Sequence, residues 1–259
     1  MNTKGYIFDL DGTIYLGDQL IEGADAAIQQ LKTKGHKVAF LTNKSISKRS
    51  EYQSKLKKMN IDVEIGEVIT SSYIAGLYLK KNLSENGKVL VIGEHTLVEE
   101  IEDAEVPITE HFYEAEYVLI GWDRDFNYSK INTAFQAWKA GAVLIATNPD
   151  KTCPIQEGEI PDCAAMIGAI ESVIDEKIKV IGKPSQIMLN YVIDKVLDLP
   201  EENCYMIGDR LETDVRMANE TAAVSSVLVM TGITDSSILE NSKDKPKYIL
   251  ESVKSIDTL

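Results

Sequence analysis

Two aspartates two positions apart, Asp9 and Asp11, lie at the end of a short apolar run and are followed by Gly12 and Thr13. Residues two apart on a strand share a face, so both carboxylates leave the strand's carboxyl end in one direction, and Gly12 permits a sharp departure. Two carboxylates on one side repel. A hard cation held by oxygen ligands relieves that repulsion, and Mg2+ is the natural candidate. Taken alone, the pattern is equally that of an Asp-Gly turn after a strand.

Three further places carry matching chemistry. Thr42-Asn43 follows the apolar run Val38 to Leu41, where a hydroxyl and an amide can bind a phosphate oxygen together with the N–H groups of the next helix. Gly182-Lys183-Pro184-Ser185 places a lysine between a short strand and a helix capped by Ser185, and its ammonium can neutralise phosphate charge. Gly208 to Asp214 (GDRLETD) follows the run Tyr205 to Ile207 and supplies a third carboxylate, Asp209, at a strand tip and a fourth, Asp214, at a helix start. Each has a plain alternative: a helix cap, a solvated lysine, an acid paired with a helix dipole. Four such features at successive strand ends, where open α/β sheets bind their ligands, outweigh those alternatives.

The elements that must position these residues alternate in type. Short runs rich in Ile, Val, Leu and Phe, among them Tyr6 to Leu10, Val38 to Leu41, Val68 to Thr70, Val89 to Ile92, Tyr117 to Gly121, Ala142 to Ala146, Tyr205 to Ile207 and Val227 to Val229, are separated by segments of helical spacing. That alternation predicts βαβ units and a parallel sheet. The segment from Asn148 to Cys163 holds three prolines and reads as a long loop, a length that usually serves a function.

Composition narrows the class further. The 259 residues, 44% hydrophobic and 26% charged, match an ordinary folded protein of one large or two modest domains. A net charge of −14 repels phosphate backbones and anionic lipid, so neither nucleic acid nor a membrane surface is an expected partner. No apolar run reaches the roughly 20 residues of a membrane span. The three cysteines, Cys153, Cys163 and Cys204, have no C-x-x-C spacing, and a reducing cytoplasm is the expected compartment. His36, His95 and His111 share no ligand spacing and are expected at the surface or at helix edges.

The series DLDGT, LTN, GKP and GDRLETD, running from Asp9 to Asp214, resembles the four motifs of the haloacid dehalogenase-like superfamily, whose members are mostly Mg2+-dependent phosphatases. The resemblance implies a Rossmann-like core and a set of roles. Asp9 is the nucleophile that forms an aspartyl-phosphate, Asp11 is the general acid and then the general base, and Thr42 and Lys183 bind phosphate. Asp209 binds the metal beside Asp9 and the backbone carbonyl of Asp11, and Asp214 orients the site. The physical logic agrees, because a carboxylate attacks a phosphoryl group only where cations offset the charge repulsion.

Spacing sharpens the resemblance. Asp9 and Thr42 are 33 positions apart, enough for a short flap from Ile14 to Gly23, one helix and one strand. Thr42 and Lys183 are 141 positions apart, and a core helix, strand and helix use roughly 40 of these, leaving about 100 for an inserted domain. The expected layout is α/β: core residues 1–81 and 180–259, and an α/β cap from 82 to 179, with the polar stretch Lys81 to Lys88 as the linker. A cap at that point, with Thr147-Asn148-Pro149-Asp150 inside it, resembles the NagD-like branch of sugar-phosphate and p-nitrophenyl phosphatases. The expected substrate is therefore a small phosphorylated metabolite, a sugar phosphate first, with Asn43, Asn148 and Asp150 as binding residues and Asp162 as a further polar group. Glycerol phosphate, a nucleotide monophosphate and pyridoxal phosphate remain open, as does a non-catalytic sensor of a phosphorylated ligand. A homodimer is compatible with all of these.

Overall fold

The computed structural model describes residues 3–155 and 158–259. The strand Gly5–Asp9 (GYIFD) is buried at every position, as a strand covered on both faces requires. Its apolar run pairs in parallel with Lys37–Thr42 on one side and with Cys204–Gly208 on the other. Among the described residues these form the middle of a six-stranded sheet, in the order Tyr248–Leu250, Ser225–Val229, Cys204–Gly208, Gly5–Asp9, Lys37–Thr42, Val68–Thr70. From Gly5–Asp9 the chain builds outward first in one direction and later in the other. The reversal sets a topological switch point at Gly5–Asp9, and it is beyond the carboxyl ends of the strands at such a point that these sheets bind ligands.

By its contacts the chain divides into two compact units, the first made of Met1–Thr42, Arg49–Ile69 and Lys183–Leu259, the second of Asn43–Lys48 and Thr70–Gly182. The first unit has a core of Tyr6, Phe8, Leu31, Phe40, Leu56 and Ile207 under its helices. A small antiparallel hairpin, Tyr15–Leu16 with Gln19–Leu20, occupies the stretch read as a flap. The second unit has its own parallel sheet, ordered Lys179–Val180, Val143–Ala146, Ala115–Ile120, Lys88–Ile92. Leu90, Val118, Leu144, Met166 and Ile170 fill its core.

The insertion read at 82–179 lies inside the longer segment of this second unit, Thr70–Gly182. The helix Ser71–Asn82, assigned to the first part of the core from sequence, packs so closely on its neighbour that a Cβ at Gly76 would lie 2.9 Å from the Ala104 Cβ. Thr70 caps it, accepting from the Tyr73 N–H. The stretch Lys81 to Lys88, expected to link the domains, turns back within the second unit, where the Ser84 hydroxyl donates to Glu116 at 2.6 Å.

The segment read as a long loop also differs. It contains an antiparallel hairpin, Thr152–Ile155 with Gly158–Pro161, whose turn lies outside the described residues. Among the described residues both strands are edges, so prolines are tolerated there at no cost to a central ladder. Asp162, expected as a ligand group, is buried and caps the helix Cys163–Glu171, its carboxylate accepting from the Cys163 N–H. No helix among the described residues is long and apolar enough to cross a membrane.

Candidate active site

In the first unit, Asp9 ends its strand with the carboxylate facing Lys183. The Lys183 ammonium donates to Asp9 Oδ1 and, at 2.7 Å, to Asp214 Oδ1. Asp214 reaches this point because the chain after Asp209 makes a wide, π-type turn over Leu211–Val215, a local irregularity common at functional sites. Its other oxygen accepts from the Arg210 N–H at 3.1 Å. Asp9, Asp209 and Asp214 each present an oxygen within 4.8 Å of the others, and all three are buried. Lys183 is only 3% exposed, so a desolvated ammonium is shared by two of the three desolvated carboxylates.

The electrostatic consequence is clear in direction. Burial raises the Asp9 carboxyl, Lys183 pulls it back and Asp214 raises it again. Asp214 is raised for the same first reason and likewise opposed by Lys183. Asp209 stands well above the usual carboxylate range, through burial first and then the charges of Asp9 and Asp214. Burial lowers the Lys183 ammonium, but Asp214 and Asp9 outweigh it and raise it above its ordinary value.

These residues fit a divalent cation. Asp209 Oδ2 accepts from the Ile233 N–H at 2.7 Å, whereas Asp209 Oδ1 is buried with no hydrogen-bond partner among the described residues. An orphaned carboxylate oxygen beside two further carboxylates is costly unless a cation satisfies it. Gly12 leaves room for this arrangement. Its φ of +81° favours glycine, and a Cβ there would lie 2.5 Å from Asp209 Oδ2.

Thr42, buried, ends the strand beside Asp9, with Leu41 in register opposite Asp9. Asp11 is half-buried and its side chain stands outside the close trio of carboxylates. It forms a backbone bridge with Tyr15, whose phenol is raised by burial and then by the Asp11 charge.

The remaining sequence-expected residues meet one another in the second unit. The Asn148 amide donates to the Asn43 carbonyl at 2.9 Å, and Asn148 Oδ1 accepts from the Asp150 N–H at 3.0 Å. The Asn43 amide donates to Asp150 Oδ1 at 3.3 Å, and the Ser71 hydroxyl donates to the Asn43 carbonyl at 2.6 Å. Asn43 and Asn148 are buried, whereas Asp150 is half-buried. Ser71 and the Ile233 N–H have no signature in the sequence: a serine at a helix start is ordinary, and a backbone amide is common to every residue type but proline.

The haloacid dehalogenase-like hydrolase family matches residues 6–107, and an HAD-hydrolase-like family matches residues 180–256. The sugar phosphatase AraL of Bacillus subtilis is 36% identical over 260 residues, covering 100% of this chain and 94% of AraL. The chain belongs to the haloacid dehalogenase-like hydrolases. Solved members of this hydrolase family share its fold. A p-nitrophenyl phosphatase from Archaeoglobus fulgidus superposes with a TM-score of 0.92 at 30% identity, covering 100% of both chains. A glycerol phosphate phosphatase from Mycobacterium tuberculosis, solved in complex with magnesium, gives a TM-score of 0.88 at 26% identity, covering 98% of this chain and 76% of that one. Both family matches span the strand-end motifs of this hydrolase, the first containing Asp9, Asp11 and Thr42 and the second Lys183, Asp209 and Asp214.

Proposed function

We propose that this hydrolase cleaves small phosphomonoesters in the cytoplasm, a sugar phosphate first among them, through an aspartyl-phosphate on Asp9 and with Mg2+ as the cation. The observation that carries the reading is the sharing of the buried Lys183 ammonium between Asp9 and Asp214 next to the orphaned oxygen of Asp209. Asp9, Asp209 and the backbone carbonyl of Asp11 are the proposed ligands, and a bound Mg2+ supplies positive charge against the phosphoryl oxygens.

Lys183 and Thr42 hold the phosphoryl group, Lys183 by charge and Thr42 by its hydroxyl. An Asp9 oxygen attacks phosphorus as the ester bond breaks, and Asp11 gives its proton to the departing alcohol oxygen. Asp11, now a carboxylate, takes a proton from water, whose oxygen attacks the aspartyl-phosphate; inorganic phosphate leaves and Asp9 is regenerated. Asp214 keeps Lys183 charged and in place throughout.

Phosphate release from p-nitrophenyl phosphate, with and without Mg2+, followed by a panel of sugar, glycerol, nucleotide and pyridoxal phosphates, tests the reading. Cation-dependent release is expected, fastest for a sugar phosphate within the panel. Binding of phosphorylated metabolites without any turnover would instead identify a sensor.

Asp11→Asn is expected to slow hydrolysis of an alkyl phosphate about 10²- to 10⁴-fold, the usual range for losing a general acid. The loss should be smaller for p-nitrophenyl phosphate, whose leaving group departs without protonation. An equal loss for both, measured as kcat/KM, would assign Asp11 to the metal site alone.

In the second unit, the hydrogen bonds of Asn43 and Asn148 favour a bracing role, and Asp150, half-buried, is the member proposed to select substrates. Asp150→Ala should then reorder kcat/KM among sugar phosphates by about tenfold, within the range a single pocket contact commands, and barely affect p-nitrophenyl phosphate. Asn148→Ala should lower the melting temperature and affect all substrates alike. An unchanged ranking in Asp150→Ala would leave all three residues as braces.

A further inference from the structure

Beyond the strand Ser225–Val229 the chain passes through Thr231-Gly232-Ile233, a segment outside the four sequence motifs. All three residues engage the carboxylate end of the central strands. The Ile233 N–H donates to Asp209 Oδ2 at 2.7 Å. The Thr231 hydroxyl donates to the Gly12 carbonyl at 2.6 Å. At Gly232 a Cβ would lie 2.0 Å from Asp209 Oδ2 and 2.5 Å from its Cγ, while a Cβ on Gly12 would lie 3.1 Å from the Gly232 Cα.

The glycine at 232 is not a demand of the backbone. Its φ lies outside the left-handed region, unlike that of Gly12. What requires glycine is the carboxylate of Asp209, which lies against the Cα. Oδ2 is held by the Ile233 N–H and packs against Gly12 and Gly232. Oδ1 is left as the buried, unpartnered one. A loop serving only the fold would give both oxygens of a buried carboxylate a donor; this loop saturates one and leaves the other to a ligand.

We infer that Thr231-Gly232-Ile233 is a positioning loop that presents Asp209 to a divalent cation and fixes the turn at Gly12 beside it, so that the loop sets the affinity for that cation. The inference rests on the reading of Asp209 as a cation ligand. Partners that orient a metal ligand typically change metal affinity 10- to 100-fold when altered, which sets the scale of the effect.

The test is direct binding of Mg2+ by calorimetry and of Mn2+ by electron paramagnetic resonance to the full chain, with melting temperatures recorded in EDTA. Gly232→Ala should weaken Mn2+ and Mg2+ binding about 10- to 100-fold. Thr231→Val, which keeps shape and removes the donor to Gly12, should weaken it about tenfold, the lower end of that scale. Thr231→Ser, which restores the hydroxyl, should bring the affinity back. Both weakened variants should melt in EDTA close to the wild type, which separates positioning from general destabilisation. If Gly232→Ala does not fold, Thr231→Val and its serine rescue decide. Wild-type affinity in Thr231→Val and in folded Gly232→Ala, with loss in Asp209→Asn, overturns the loop's role and leaves the ligand reading standing. Wild-type affinity in Asp209→Asn overturns the ligand reading itself. A loss in either loop variant that only tracks its unfolded fraction also overturns the inference.

Discussion

Asp9→Asn is expected to lower kcat about 10⁴- to 10⁶-fold, the scale at which loss of a nucleophile acts in a covalent mechanism. The amide is isosteric and keeps an acceptor for the Lys183 ammonium, but it cannot attack phosphorus as a carboxylate does. Lys183 retains its 2.7 Å contact with Asp214, so the substitution strands no buried ammonium. The fold should therefore survive, and circular dichroism and melting in EDTA should match the wild type or exceed it. Steady-state kinetics on p-nitrophenyl phosphate, with a purified inactive control to exclude contaminating phosphatase, measures the loss. Activity within tenfold of wild type would falsify the covalent route through Asp9.

Removal of the cation should produce the second large effect, visible in stability as well as turnover. EDTA should abolish hydrolysis and Mg2+ restore it. Without a cation, Asp9, Asp209 and Asp214 all have folded-state carboxyls raised above their ordinary value, chiefly by burial. A raised folded value means the native state binds protons more tightly than the unfolded chain. The stability from these groups is thus greatest below the ordinary carboxylate range and is lost as pH rises through the raised values. In EDTA the wild type should melt lower at pH 7 than at pH 5, and saturating Mg2+ should remove most of that difference.

Asp209→Asn isolates this contribution from the other carboxylates of the chain. It removes a buried charge whose Oδ1 has no partner among the described residues, and an amide oxygen can still accept from the Ile233 N–H. In EDTA at pH 7 it should be more stable than the wild type by about 1–3 kcal/mol, the cost of one unsatisfied buried polar group. That corresponds to roughly 2–8 °C in melting temperature for a chain of this size. Added Mg2+ should raise the melting point of the wild type and leave that of Asp209→Asn nearly unmoved. A variant that melts lower than the wild type in EDTA would show that the carboxylate is satisfied without a cation.

The central strand was legible because its signal is local. Tyr6, Ile7 and Phe8 form an apolar run buried on both faces, and Val68 to Thr70 is a strand within the bounds its composition suggests. The acids, the lysine and the threonine of the proposed active site could be picked out for a related reason. Their chemistry belongs to the side-chain type, and their position at strand ends follows from the element that precedes them. The hairpin inside 152–161 was hidden, because Pro154 and Pro161 mask the alternation by which a strand is read, and they are tolerated where, among the described residues, neither strand has a second partner.

Other features were decided only when distant segments met. Helix Ser71–Asn82 has the same local sequence whichever unit it joins, and its close packing against Ala104 settles the matter. Asn43, Asn148 and Asp150 are polar residues of the kind that bind sugars, yet their amides and carbonyls meet one another across a separation of more than a hundred positions. At Asp209 the decisive partners are the N–H of Ile233 and the missing side chain of Gly232. Every non-proline residue carries the first and every glycine offers the second, so composition cannot single them out. Residue type determines which chemistry a position can perform, whereas which groups are already satisfied, and which oxygen is left for a ligand, depends on non-local contacts that exist only in the folded chain.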